Sequence, residues 1–175
     1  MPLADETAPD FGAVSRCIRQ SLWTERSSMI RKHAMDILSR REHSKHELFR
    51  KLSQKGYEAN EIDEVINELV RDNLQSDLRY IEAYVQSRVI RGFGPRYVMR
   101  KLRQDGLSEE HIEQFNVQSD IDWYAVMRAA WQKKYDHSPI DVKEASKQAR
   151  FLLQRGFEPD SVRTLLQELQ NGTVT

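Results

Sequence analysis

The sequence predicts an all-α protein built from three tandem three-helix repeats, helix-turn-helix-like in pattern, stacked into an elongated, curved, solenoid-like rod. Two observations lead there. Segments ELFRKLSQKGYEANEIDEV from Glu47, YVMRKLRQDGLSEEHIEQF from Tyr97 and KQARFLLQRGFEPDSVRTL from Lys147 align without gaps at a fixed offset of fifty residues. Arg50, Arg100 and Arg150 share a column, as do Leu52, Leu102 and Leu152, then Gln54, Gln104 and Gln154, then Gly56, Gly106 and Gly156. Such self-similarity marks a repeat architecture in which each unit is one supersecondary element. The second observation is that no segment shows sustained period-two alternation, which leaves helix as the regular structure.

The shared columns define a corner. Each glycine follows a helical stretch and suits the C′ position, where the backbone turns left-handed and a Cβ would clash. Leu52, Leu102 and Leu152 then fall at C3, and Tyr57, Leu107 and Phe157 at C″, their apolar partners in a Schellman motif. The next helix starts at once, with Glu58, Ser108 and Glu158 as N-caps and Pro159 at N1 of the third copy; serine is a good cap and glutamate a poor one. Tyr57, Leu107 and Phe157 also staple onto Ile62, Ile112 and Val162 at N4.

The preceding helix opens on a capping box at Ser44–Glu47 and on Gly94-Pro95 in the same column of the second copy. In the third copy Asp141–Glu144 does similar work slightly upstream. Before these, apolar residues at spacings of three and four mark the first helix of each unit. They are Ile30, Ala34, Ile37 and Leu38; Ile81, Tyr84 and Val85; and Trp123, Met127, Ala130 and Trp131. Loops are expected at Arg40–Ser44 and Gly92–Pro95, with a longer connection at Tyr135–Asp141.

The repeats are placed at 28–75, 76–120 and 121–170, behind a flexible N-terminal segment at 1–27 and ahead of a fraying tail at 171–175. Within 1–27, Ala4–Phe11 reads as disordered and Val14–Trp23 as an extra helix. A unit of this size buries too little apolar surface to stand comfortably alone, so neighbours are expected to pack end to end.

Composition narrows the function. Lys and Arg number 27, as do Asp and Glu, so no global field draws the chain to nucleic acid or membrane. Cys17 is the single cysteine and cannot form an internal disulfide. The acidic opening stretch has no apolar h-region, so the expected compartment is a reducing cytoplasm. No apolar run approaches the ~20 residues that a membrane-spanning helix needs.

Motifs for catalysis are missing. Gly92-Phe93-Gly94 lacks the third glycine and the preceding strand of a nucleotide loop. His43 and His46 have only Glu42 and Glu47 as further donors, and read as solvated histidines at a helix start before they read as a metal site. Cys17, near Arg16 and Arg19, is either a somewhat acidified thiol or an ordinary half-buried cysteine. The carboxylates of NEIDEVINEL read as a solvated face. No enzymatic activity, cofactor or metal is expected.

Charge is segregated along the chain. From Glu58 to Glu82 there are eight acidic residues and two basic ones, Arg71 and Arg79. From Ala83 to Gln104 there is no acid and there are six basic residues: Arg88, Arg91, Arg96, Arg100, Lys101 and Arg103. Tyr84, Phe93 and Tyr97 are interleaved with them. A weaker basic stretch covers Arg26 to Lys51. Such runs are often plain solvated surface, but this one suits a partner-binding patch for phosphates or for an acidic protein groove.

The middle repeat, SDLRYIEAYVQSRVIRGFGPRYVMRKLRQDGL, resembles the signature region of the RecX family, bacterial regulators of the RecA recombinase. The start Asp77-Leu78-Arg79-Tyr80, the helix Ala83-Tyr84-Val85 with Arg88, and the turn Gly92-Phe93-Gly94-Pro95 carry the likeness. Ala34–Gly56 and Ala149–Phe157 fit as well, and the resemblance spans about Met29 to Leu169. It implies a monomeric protein that binds the groove of RecA filaments on single-stranded DNA and inhibits recombination, ATP turnover and coprotease activity, with room for weak direct contact with DNA. The residues expected to carry this are Arg88, Arg91, Arg96, Tyr97, Arg100, Lys101 and Arg103, with Arg50 and Arg150 as repeat-equivalent support. For Arg50, Arg100 and Arg150 the competing role is an inter-helix salt bridge. Gly56, Gly94, Pro95, Gly106 and Gly156 are expected to shape the turns. The rival function is a protein that binds nucleic acid directly, holding strands by stacking and phosphate contact.

Overall fold

Apolar residues recurring every three or four positions close each segment into a helix with one buried stripe. The computed structural model describes residues 11–135 and 137–172, with side chains from Glu25 onward. Among these residues the regular structure is helical throughout. The first repeat holds α1 (Phe11–Leu38), α2 (Lys45–Ser53) and α3 (Ala59–Arg71). The second holds α4 (Asp77–Ile90), α5 (Pro95–Gln104) and α6 (Glu109–Gln118), and the third α7 (Trp123–Gln132), α8 (Val142–Gln154) and α9 (Pro159–Gln170). Val14–Trp23 falls within α1, which runs unbroken from Phe11. The expectations for residues 1–10, for the Cys17 thiol and for residues 173–175 lie outside the described residues.

The chain divides into two compact units: Met1–Arg41 with Leu48–Leu74, and Glu42–Glu47 with Gln75–Thr175. In the first, Ile30 and Ala34 of α1 pack on Leu48 and Leu52 of α2 and on Ile62, Val65 and Leu69 of α3. Arg31 Nη2 meets Asp72 Oδ2 at 2.6 Å, and the His33 ring and the Tyr57 hydroxyl share a hydrogen bond of 2.6 Å. Asn73 ends α3 with φ +56°, and the Leu74 N–H returns to the Leu69 carbonyl at 2.8 Å. This is a Schellman turn with asparagine in the glycine place.

The second unit carries two cores of the same design. One holds Tyr80, Ile81, Val85, Val98, Leu102 and Ile112; the other Met127, Trp131, Leu152, Phe157, Val162 and Leu165. The column filled by Leu48 and Val98 holds Gln148 in the third repeat, only 2% exposed. Its Oε1 accepts the indole N–H of buried Trp131 at 2.8 Å. Gln148→Leu would keep the shape but strand that N–H, so a loss of about 1–3 kcal/mol is expected in urea unfolding. An unchanged midpoint would show that the indole finds another acceptor.

At the edge of the third core the Tyr124 hydroxyl donates to Glu168 Oε2 at 2.5 Å. Burial, and then that bond, push the Tyr124 pKa up to about 12. The fold therefore favours the neutral phenol. Its contribution is whole below pH 10, where the unfolded tyrosine still holds its proton, and falls as pH rises from 10 to about 12. A tyrosinate absorbance titration should show a group ionising near pH 12 that moves down in Glu168→Gln. No movement would remove Glu168 from the account.

All three glycines turn left-handed as the columns require, and the Schellman bond closes in the second and third copies. Gly56, Gly106 and Gly156 have φ of +85°, +78° and +85°. Leu107 N–H bonds the Leu102 carbonyl and Phe157 N–H the Leu152 carbonyl, each at 3.2 Å. Ser108 accepts the His111 N–H, whereas Glu58 and Glu158 make no side-chain cap bond. Ser44 Oγ accepts the Glu47 N–H at 3.1 Å, and Asp141 accepts that of Glu144 at 2.7 Å.

Three sequence expectations need correction. The NEIDEVINEL carboxylates are not all on a solvated face: Glu61 is buried and meets Arg26 Nε at 3.3 Å. His43 is not solvated: it is 1% exposed, and its carbonyl accepts Gln75 Nε2 at 3.1 Å. Gly94 is more than a tolerated cap, because a Cβ there would stand 2.5 Å from the Gly156 carbonyl carbon and oxygen. The loop before α5 is laid directly on the corner of the third repeat. Gly94 N–H bonds the Arg155 carbonyl at 2.8 Å, and Arg96 N–H bonds the Gly156 carbonyl at 3.0 Å. The same joint occurs fifty residues earlier in milder form. Ser44 Oγ donates to the Asp105 carbonyl at 3.2 Å, and a Cβ on Gly106 would meet His46 at 2.8 Å.

Candidate interaction surface

The basic run is distributed over the end of α4 and the length of α5, and tertiary contacts sort its members. Arg96, Arg100 and Arg103 are spaced four and three apart on α5, which places them in one stripe. Arg103 is held by Glu109 in two bonds of 2.5 and 3.0 Å, which also keep the Glu109 carboxyl below its ordinary pKa. Lys101 pairs with Asp105 at 2.7 Å. Arg96 approaches Glu158 only at 3.9 Å and stays well exposed. Arg100 lies over the Tyr97 ring at 5.8 Å, and Tyr97 stacks on Phe93 at 4.4 Å between centroids.

Arg88 is of a different kind. Its guanidinium lies 4.8 Å from the Tyr84 ring centroid, and its Nε is buried without a hydrogen-bond partner. It belongs more to the packing of α4 than to an outer surface. Arg50, Arg91 and Arg150 are exposed and make no ion pair among the described residues. Neither does Arg100, so none of Arg50, Arg100 and Arg150 makes the inter-helix salt bridge weighed for that column. Arg91, Arg96 and Arg100 are thus the members of the run whose charge is most open to a partner. Arg50 belongs to the first unit and the others to the second.

Sequence reasoning missed two groups. Lys143, Lys147 and Arg150 form a second stripe on α8 at spacings of four and three, all exposed and without ion pairs among the described residues. Helical spacing alone could have revealed it. Lys133, Lys134 and Arg155 come together with Arg91 only through the packing of α4, α7 and α8. Arg155 lies 5.2 Å from the Phe93 centroid, and its Nη1 donates to the Arg91 and Gly92 carbonyls at 2.5 and 3.0 Å. Gly92 ends α4 with φ +71°, and a Cβ there would stand 2.8 Å from that of Ala130. The turn Gly92–Pro95 is therefore fixed by the next repeat as much as by its own dihedrals.

No group of three His, Cys, Asp or Glu able to hold a metal ion occurs among the described residues, and none of their helices is long and apolar enough to cross a membrane. The architecture is that of a helical-repeat protein of three tandem three-helix units. Three family models match in chain order: the RecX first three-helix domain at residues 31–69, the second at 76–114 and the third at 120–166. The chain belongs to the RecX family. It is 40% identical over 138 residues to the regulatory protein RecX of Pseudomonas tolaasii, covering 78% of this chain and 89% of that one. With the RecX regulatory protein of Ectopseudomonas mendocina (strain ymp) the identity is 40%, covering 78% and 92%. The crystal structure of RecX from Lactobacillus salivarius superposes with a TM-score of 0.71 at 24% identity, covering 84% of this chain and 98% of that one. A second crystal structure, of a regulatory protein RecX, gives 0.71 at 19% identity, covering 95% and 81%. These superpositions bear on the fold.

Proposed function

We propose that this chain is a regulator, mainly negative, of the RecA recombinase, which it engages as a filament on single-stranded DNA in the cytoplasm. The observation that carries the reading is the match of all three three-helix domains, in order, to the RecX family of regulatory proteins. The surface on α4 and α5 supports it, because Arg91, Arg96 and Arg100 offer charge that the fold leaves largely uncommitted. A bound regulator shifts a filament only by its difference in affinity between active and inactive arrangements. Contacts that span neighbouring RecA subunits in the groove supply such a difference, since they exist only in one subunit spacing. Inhibition of recombination, ATP turnover and coprotease activity then follows from one binding event, without chemistry by this chain.

The test is RecA-catalysed, DNA-dependent ATP hydrolysis with increasing amounts of this protein, beside its binding to bare single-stranded DNA at two salt concentrations. Inhibition well below the RecA concentration, with weak and salt-sensitive DNA binding, is the expected outcome. Phosphate contacts alone would weaken steeply with salt even without RecA. Inhibition only once the DNA is saturated would replace this reading with direct nucleic-acid binding.

A further inference from the structure

We infer that the groove between the end of α4 and the faces of α7 and α8 is a docking site for an acidic peptide segment carrying a bulky aliphatic side chain. The groove encloses about 790 Å³, within the range of clefts that hold such groups. Its apolar surface is aliphatic and partly open. Ile90 is 81% exposed, and Val126 and Ala129 of α7 line a wall of the groove. The alanines Ala125 and Ala129 keep that wall low, which leaves room for a leucine-sized group.

The charge around this surface has one sign. Arg91, Lys133, Lys134 and Arg155 line the groove, and no lining residue is acidic. Arg91 and Lys133 are exposed and make no ion pair among the described residues. Cations gathered beside apolar surface are best stabilised by a ligand that brings carboxylates and an apolar group together. Arg155 is committed to the Arg91 and Gly92 carbonyls and Lys134 lies over the Phe151 ring, which leaves Arg91 and Lys133 to meet the ligand's charges.

The same geometry disfavours a nucleic-acid strand. Strand binding relies on exposed aromatic faces for the bases. The one aromatic ring lining the groove is Phe151, and it is already covered: Lys134 Nζ lies 4.1 Å and the Arg155 guanidinium 4.7 Å from its centroid. What remains open is aliphatic. Apart from Arg91 the groove shares no residue with the α5 surface, and its occupancy does not depend on the RecA reading.

The test uses the full chain and fluorescence anisotropy of a short labelled peptide with one leucine among aspartates and glutamates. The controls are the same peptide with serine for leucine and a labelled single-stranded oligonucleotide. The leucine peptide should bind at least about tenfold tighter than the serine peptide, and Ala129→Trp, which fills the groove, should weaken it about tenfold or more. Lys133→Glu, at an exposed position that the core does not use, should have a similar effect with circular dichroism unchanged. Equal binding of the two peptides, or parent-like affinity in Lys133→Glu, would overturn the proposal. Oligonucleotide binding that both variants weaken, without peptide binding, would assign the groove to nucleic acid instead.

Discussion

Gly156→Val should cost roughly 4 kcal/mol of stability, among the largest effects expected of any single substitution in this chain. Two penalties combine. A β-branched residue is forced to a left-handed backbone at φ +85°, and its Cβ collides with the backbone nitrogen and Cβ of Tyr97. The collision involves main chain that is itself bonded to the glycine carbonyl through Arg96, so it has nowhere cheap to go. Gly56 provides a matched control, since its φ is also +85° but nothing lies within 4 Å of an added Cβ. Gly56→Val should therefore show the backbone strain alone, about 1–2 kcal/mol. Gly106→Val should fall between them, because its added Cβ would meet the His46 Cβ and Cγ at 2.8 Å, a less severe approach than that to the Tyr97 nitrogen at Gly156 and one that involves no backbone atom. Urea unfolding followed by circular dichroism measures all three. Equal losses at Gly56 and Gly156 would mean that the joint between the second and third repeats relaxes freely and fixes little.

The second large effect concerns function. Under the proposed function, Arg91, Arg96 and Arg100 changed together to glutamate should leave helicity intact and weaken the proposed inhibition of RecA ATP hydrolysis by at least about tenfold, since reversed charges both remove attraction and add repulsion. Arg88 is left out on purpose. Its Nε is buried and its guanidinium packs on Tyr84, so reversing it would test the core of the second repeat as much as its surface. Arg103 and Lys101 are also poor probes, because Glu109 and Asp105 already hold them. Parent-like inhibition by the triple variant would remove this surface from the mechanism while leaving family membership untouched.

How much could be read in advance depended on the range of the forces involved. The Gly56, Gly106 and Gly156 corners were legible because a left-handed cap and its C3–C″ contact span six residues of contiguous sequence. The stapling residues Ile62, Ile112 and Val162 were legible for the same reason, and all three are buried. The left-handed turn at Asn73 was missed because asparagine is a weaker signal than glycine. Burial of His43 and the close approach at Gly94 could not be read locally, since Gln75 and Gly156 create them from a distance. The candidate surface divides in the same way. The run from Arg88 to Arg103 stood out by its composition, but which of its charges are already spent was decided by Glu109, Asp105 and Tyr84. The meeting of Arg91 with Lys133, Lys134 and Arg155 left no mark in any linear window.

The joint made by residues 94–96 on Gly156 recurs, in milder form, between residues 44–46 and Gly106. Each middle copy thus carries both halves, a loop for the copy after it and a glycine corner for the copy before it. A duplicated middle block would arrive with its own fittings on both sides. In such a scaffold the number of copies can change by a single recombination event within the gene, and the chain gains or loses a whole three-helix unit without any interface having to be invented.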